Sequence, residues 1–136
     1  MKLEIFNKEL LNFPIEEYLP RLENAFPGMN NSVVNIIFVK QDFIHDLNIK
    51  YRNVDSITDV LSFNIDMDNM LGEVYVCPEY IVSARPEIDL KEEVLRLIIH
   101  GILHLLGHDH TVELNDSTKD IEEMFVKQEK ILENVL

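Results

Sequence analysis

Basic residues are scarce in this chain: 12 Lys and Arg stand against 25 Asp and Glu, for a formal charge of −13. Such an acidic surface favours solubility and repels phosphate backbones at long range, which excludes broad, charge-driven nucleic-acid binding and leaves only local contact. The cations that exist fall early. Lys2, Lys8, Arg21, Lys40, Lys50 and Arg52 precede residue 58, whereas the C-terminal segment is rich in Asp and Glu, so a basic patch would come from the first half. Cysteine is scarcer still. Cys77 stands alone, which excludes an internal disulfide and fits a reducing compartment; it is expected on a buried strand. Long apolar runs are also missing. The most apolar stretch, residues 94–106, is interrupted by Arg96, His100 and His104 and is shorter than the ~20 residues that span a bilayer. The opening MKLEIFNKEL has neither the apolar run nor the cleavage site of a signal peptide, so the expectation is a cytoplasmic protein without membrane association. With no repeat, low-complexity tract or linker, 136 residues that are 46% hydrophobic read as one domain over 1–136.

Residues 2–6 alternate polar with apolar and residues 32–39 are rich in β-branched side chains, so both read as strands, with a helix expected over 15–26 between them. In 41–52, Phe43, Ile44, Leu47 and Tyr51 recur at helical spacing, which places Arg52 at a helix C-terminus. Strands near 59–65 and 71–77 follow, joined by a polar turn around Asp66–Asn69, as a hairpin or as flanks of a longer crossover. Pro78 opens a short helix that Pro86 closes. Asp89 with Glu92 gives a capping-box signal for a long helix that ends at Gly107. A last amphipathic helix, 118–133, is expected to turn Ile121, Met124, Phe125, Ile131 and Leu132 inward. The order of elements predicts an α+β domain, a small mixed sheet of about four strands packed with about five helices.

Four of the five histidines lie in RLIIHGILHLLGHDH. His100 and His104, four apart on a helix, share a face one turn apart, where two ring nitrogens can converge on one ion. The third ligand is His108 or His110, and geometry favours His110. On a continued helix His108 would lie about 12 Å from His100, beyond ligands held ~2 Å from one zinc. Gly107 ends the helix first, and the turn after it can swing His110 back, leaving a fourth position open, as in catalytic zinc sites. A lone histidine is ordinarily a satisfied core or surface residue. Here the helix is apolar nearly all round, so two unpartnered imidazoles in it would pay for desolvation that a shared metal removes. His45, on a charged helix, keeps the ordinary role, and His108 reads as a wall of the site. H-x3-H-x2-G-x2-H is also the spacing of the metzincin proteases, but their general-base glutamate is replaced by Gly101, which argues against peptide hydrolysis.

HGILHLLGHDH resembles the signature of the YbeY endoribonuclease family, in which glycine after the first histidine is normal. Asn48, Tyr51 and Arg52, followed by Thr58-Asp59-Val60-Leu61-Ser62-Phe63, resemble the family's N-x-x-Y-R and T-D-V-L-S-F. Leu71-Gly72-Glu73-Val74 is similar to its L-G-D-I block, with Glu73 where Asp is usual, and Glu123-Met124 fits its closing helix. The resemblance runs from about residue 40 to the end. It implies a single-strand-preferring, metal-dependent endoribonuclease in a bacterial or organellar setting, acting at the 3′ end of small-subunit ribosomal RNA and in ribosome quality control. One zinc ion on His100, His104 and His110 is the expected cofactor. The expected partners are single-stranded or ribosomal RNA and a small-subunit ribosomal protein or ribosome-associated GTPase, not DNA. Zinc lowers the pKa of bound water to about 7 and polarises phosphoryl oxygens. Arg52 is then the candidate to steady phosphate charge, its ordinary alternative being a helix C-terminal cap or surface ion pair. Asp109 would orient His110 or relay a proton. Asn48, Tyr51, Thr58, Asp59, Glu73 and His108 are candidates for substrate binding or for support of the ligands, with Asp109 and Glu73 the only carboxylates available as a base. Two other functions compete: a non-catalytic assembly factor stabilised by zinc, which the −13 charge favours, and, more weakly, a zinc protease or amidase.

Overall fold

A computed structural model describes residues 1–107 and 117–136. Four strands, β1 (Lys2–Phe6), β2 (Val33–Phe38), β3 (Val60–Met67) and β4 (Met70–Val76), form one sheet in the order β1-β2-β4-β3. The pairs β1–β2 and β2–β4 are parallel and β3–β4 is antiparallel, so the sheet is mixed, and 59–65 with 71–77 do form a hairpin. Five helices, α1 (Leu19–Asn24), α2 (Gln41–Arg52), α3 (Pro78–Ala84), α4 (Leu90–Leu105) and α5 (Ser117–Val135), complete the expected α+β class together with two 3-10 turns.

Alternation along the strands feeds two cores. Val34, Ile36, Phe38, Val74 and Val76 pack with α4, while Ile37, Leu61, Phe63 and Tyr75 pack with Ile44 and Leu47 of α2. Helices thus cover both faces. In α4, Val94, Leu95, Ile98, Ile99, Ile102 and Leu103 have no exposed surface. Each such side chain contributes roughly 1.5–3 kcal/mol relative to exposure, so this helix is rigidly seated. It also sits unusually close to the sheet. A Cβ on Gly101 would lie 2.6 Å from Val74 Cγ1, and one on Gly72 2.7 Å from Leu105 Cδ2.

Several details differ from the sequence expectation. The helix over 15–26 is split into a 3-10 turn, Ile15–Glu17, and α1, with Pro20 in the first turn of α1. A continuous helix would bury Pro20 in its interior, where it removes a hydrogen bond and clashes with the preceding turn. β3 continues to Met67, so the turn contracts to Asp68 and Asn69, with Asp68 at φ 55°. Asp89 caps α4 as expected, accepting from the Lys91 and Glu92 amides at 3.1 and 3.5 Å, but the Glu92 carboxylate turns to Arg96 instead of back to the cap. Gly107 takes the left-handed conformation, φ 101°. Phe125 is a correction: it is 59% exposed, because α5 buries Met124, Gln128, Leu132 and Val135 against α4 and leaves the adjoining position outward.

Candidate metal and nucleic-acid site

The seating of α4 fixes the direction of its two histidines. His100 and His104 share one face, with their Nε2 atoms 2.9 Å apart and ring centroids 4.4 Å apart. Behind His100, Gln128 of α5 places Oε1 2.8 Å from Nδ1. The amide orientation follows from its other partner: Gln128 Nε2 donates to Glu129 Oε2 at 3.1 Å, and a carboxylate only accepts. Oε1 therefore faces the ring and must accept, so His100 carries its proton on Nδ1 and presents the Nε2 lone pair on the side of His104. Gln128 is buried, at 6% exposure.

Glu129 is in turn gripped by Arg96, through Nε at 3.0 and 3.2 Å and Nη2 at 3.1 Å, and Arg96 also donates to Glu93 at 2.7 Å and to Glu92 at 3.3 Å. The hydrogen bonds that Arg96 donates to Glu129, and after them to Glu93, outweigh burial and raise the Arg96 pKa. For Glu129, burial pushes upward, but the hydrogen bonds from Arg96 and Gln128 prevail and hold the carboxyl below its ordinary range.

In front of the two histidines lies a cleft of about 610 Å³ running along β3, lined by Tyr51, Arg52, Thr58, Asp59, residues 60–64, His100, His104 and Leu105. The segment 53–58 connects α2 to β3 and so sets the 48–52 block beside the 58–63 block at this cleft. Asn48, 1% exposed, donates to the Ser56 carbonyl at 2.9 Å and accepts from Arg52 Nη1 at 3.1 Å, so it ties that segment down while steadying the guanidinium. Thr58 donates to Asp59 at 3.4 Å, and the other Asp59 oxygen accepts from Arg85 at 2.9 Å. Glu73 is elsewhere. It lies on the sheet face away from α4, accepts from the Tyr75 hydroxyl at 3.1 Å and lines a neighbouring groove. Burial, with the Glu73 charge and hydrogen bond beside it, pushes the Tyr75 phenol up to about 12, so it stays a neutral donor.

The spacing of the two described imidazoles fits a shared zinc. Two nitrogens bound tetrahedrally at 2.0–2.1 Å lie about 3.3 Å apart, within a few tenths of an ångström of what His100 and His104 present. His108, Asp109 and His110 lie outside the described residues. Gly101 is explained by packing: a side chain there, the protease glutamate included, would strike Val74.

The family model for Endoribonuclease YbeY matches residues 3–136. The chain belongs to the YbeY endoribonuclease family. It is 42% identical over 104 residues to Endoribonuclease YbeY of Thermotoga maritima, covering 75% of this chain and 67% of that one. It is 34% identical to Endoribonuclease YbeY of Sulfurihydrogenibium sp. (strain YO3AOP1), over 97% of this chain and 88% of that one. The solution structure of TM1509 from Thermotoga maritima superposes with a TM-score of 0.68 at 34% identity, covering 98% of this chain and 88% of that chain.

In this member of the YbeY family three supporting residues escaped the sequence reading. Gln128 carried a usable signal, being a polar residue on the apolar stripe of α5 with Met124 and Leu132. Asn64 donates to the Leu105 carbonyl at 3.1 Å and so ties the end of the histidine helix to β3, and Arg85 holds Asp59; neither stands out in the sequence. Among the described residues no helix is long and apolar enough to cross a membrane.

Proposed function

We propose that the cleft is the active site of a zinc-dependent endoribonuclease that cuts single-stranded RNA, with ribosomal RNA at the 3′ end of the small-subunit species as its substrate and ribosome quality control as its wider role. The observation that carries this is the meeting of the His100 and His104 Nε2 atoms in one cleft with Arg52, in a chain of the YbeY endoribonuclease family. His100 and His104, with His110, would hold one zinc ion, which supplies Lewis acidity towards a phosphoryl oxygen and activation of water. Arg52 forks onto the phosphate and offsets the charge that grows as the bond breaks, and Asn48 keeps the guanidinium aimed. Gln128 holds His100 in the one tautomer that leaves Nε2 free to ligate. Asp109 is the carboxylate proposed to handle the proton. The position of Glu73 on the far face of the sheet makes it a substrate-groove residue instead.

The experiment is cleavage of a single-stranded RNA by zinc-loaded protein, by chelated apoprotein and by Arg52→Ala. Activity is expected to vanish in the apoprotein and to fall about 100-fold or more in the variant, whose fold and zinc content stay intact. Undiminished cleavage by Arg52→Ala would remove Arg52 from the mechanism. An assembly factor that docks on a small-subunit ribosomal protein or a ribosome-associated GTPase is the second possibility, favoured by one fact: Arg52 is the only Lys or Arg among the described residues lining the cleft. A verified zinc-loaded protein that leaves RNA uncut would favour it.

A further inference from the structure

α2 presents Phe43, Leu47 and Tyr51 at i, i+4 and i+8 along one side. The core beneath is closed without the two rings: Val39, Ile44, Leu61 and Cys77 are each buried, whereas Phe43 is 50% and Tyr51 58% exposed. These rings are nonetheless ordered in a row. Phe43 stacks on Tyr75 at 6.2 Å, Tyr75 meets Phe63 edge-on at 5.9 Å, and Phe63 meets Tyr51 at 5.2 Å. The row borders a groove of about 310 Å³, and three residues of that groove, Tyr51, Phe63 and Asn64, also line the cleft with His100 and His104. The aromatic surface is thus continuous with the proposed reaction centre.

Charge selects the occupant. At the cleft end stand Arg52 and Lys50, whose ammonium lies 5.2 Å from the centre of the Tyr51 ring. In the groove itself stands Glu73, with its carboxylate bound to Tyr75. A phosphate is repelled from that floor and attracted to its rim, while an uncharged planar base is tolerated on the floor. A duplex offers the opposite surface, with bases hidden and phosphates outward, and two cations are too few to hold it. Phe43 and Tyr51 are eight residues apart, about 12 Å along the helix, so they address two separate bases.

We infer that Phe43, Tyr75, Phe63 and Tyr51 form a stacking platform for unpaired bases of the RNA strand that leads into the cleft, and so set the preference for single strands. This rests on the ribonuclease function proposed above. Stacking of a base on an aromatic side chain is sequence-tolerant, and its loss on alanine substitution weakens binding substantially.

The chain contains no tryptophan, so Phe43→Trp installs a single indole on the platform. Its fluorescence is expected to be quenched saturably by a non-cleavable 2′-O-methyl oligouridine, but not by the same strand annealed to its complement nor by an abasic ribose-phosphate strand. Phe43→Ala is expected to bind the single strand about 10-fold more weakly. Phe43→Leu, apolar but without a π face, is expected to resemble Ala. Equal quenching by the abasic strand, or wild-type affinity in Phe43→Ala, would overturn the platform. Wild-type RNA affinity in Phe43→Leu would do the same and point to an apolar protein contact. If wild-type protein cleaves RNA while the Phe43 variants show none of these effects, only the platform falls; if it neither cleaves nor binds RNA, the ribonuclease function falls with it.

Discussion

A single amide decides how the first histidine can be used. Had Gln128 been a hydrocarbon, His100 Nδ1–H would point at a buried apolar wall and the ring would be free to exchange tautomers or flip. As it is, the bond at 2.8 Å settles which nitrogen faces His104. Partners of this kind are worth about 10- to 100-fold in metal affinity. Gln128→Ala and the volume-filling Gln128→Leu are both expected to lose the proposed zinc to a chelator at concentrations lower by that factor, with the helical content unchanged. Wild-type retention by the Leu variant would show that the ring needs no such partner. Asn48 does the same for Arg52 from within one helix, a turn away, as the spacing of an i, i+4 pair allows.

At the level of elements, the joint between α4 and α5 is made by Arg96 clasping Glu129. Glu129 titrates below the ordinary value of 4.5 because Arg96 and Gln128 bind its charged form more strongly than burial opposes it. A carboxyl whose folded pKa is depressed stabilises the fold above its unfolded pKa and gives that stability up as pH falls through the folded one. Chemical denaturation from neutral pH down to below 4.5 is therefore expected to show a steeper loss for wild type than for Glu129→Gln; parallel curves would mean that the pair contributes nothing. Elements were also the scale best legible in sequence. Hydrophobic period marked β1, α2 and α5, because burial of one face leaves that trace in an amphipathic segment, while β-branched content marked β2, prolines marked α3 and the cap at Asp89 marked the start of α4. Pro20 is the sequence sign of the split at 15–26, since it fits the first turn of a helix and not its interior. Phe125 was misplaced because a hydrophobic stripe tolerates a ring beside it, and only the angle at which α5 meets α4 shows which side is wet. The histidine spacing was legible since a helix is a local structure; Asn64 and Arg85 were not, and Gln128 showed its polarity on the stripe but not its partner, since each bonds across 26 residues or more of chain.

The whole molecule carries −13 and yet is proposed to act on a polyanion. Of the cations placed near the cleft, Arg52 and Lys50 are those positioned to meet phosphate. Each phosphate neutralised on a single strand contributes about −0.7 to the slope of log affinity against log salt, so a slope of about −1.4 is expected by fluorescence anisotropy over a salt series. A slope several times steeper would require a further basic surface.

Gly101 has a consequence for the protein's mutational neighbourhood. The metalloproteases that share this histidine spacing carry glutamate at the position of Gly101. That substitution is closed here, because a side chain at 101 would have to lift the histidine helix away from Val74 and Ser62. The helix would then no longer aim its imidazoles as it does now. In this chain a glutamate at 101 therefore requires the contact between helix and sheet to be rebuilt first, so steric fit stands between this histidine spacing and peptide chemistry.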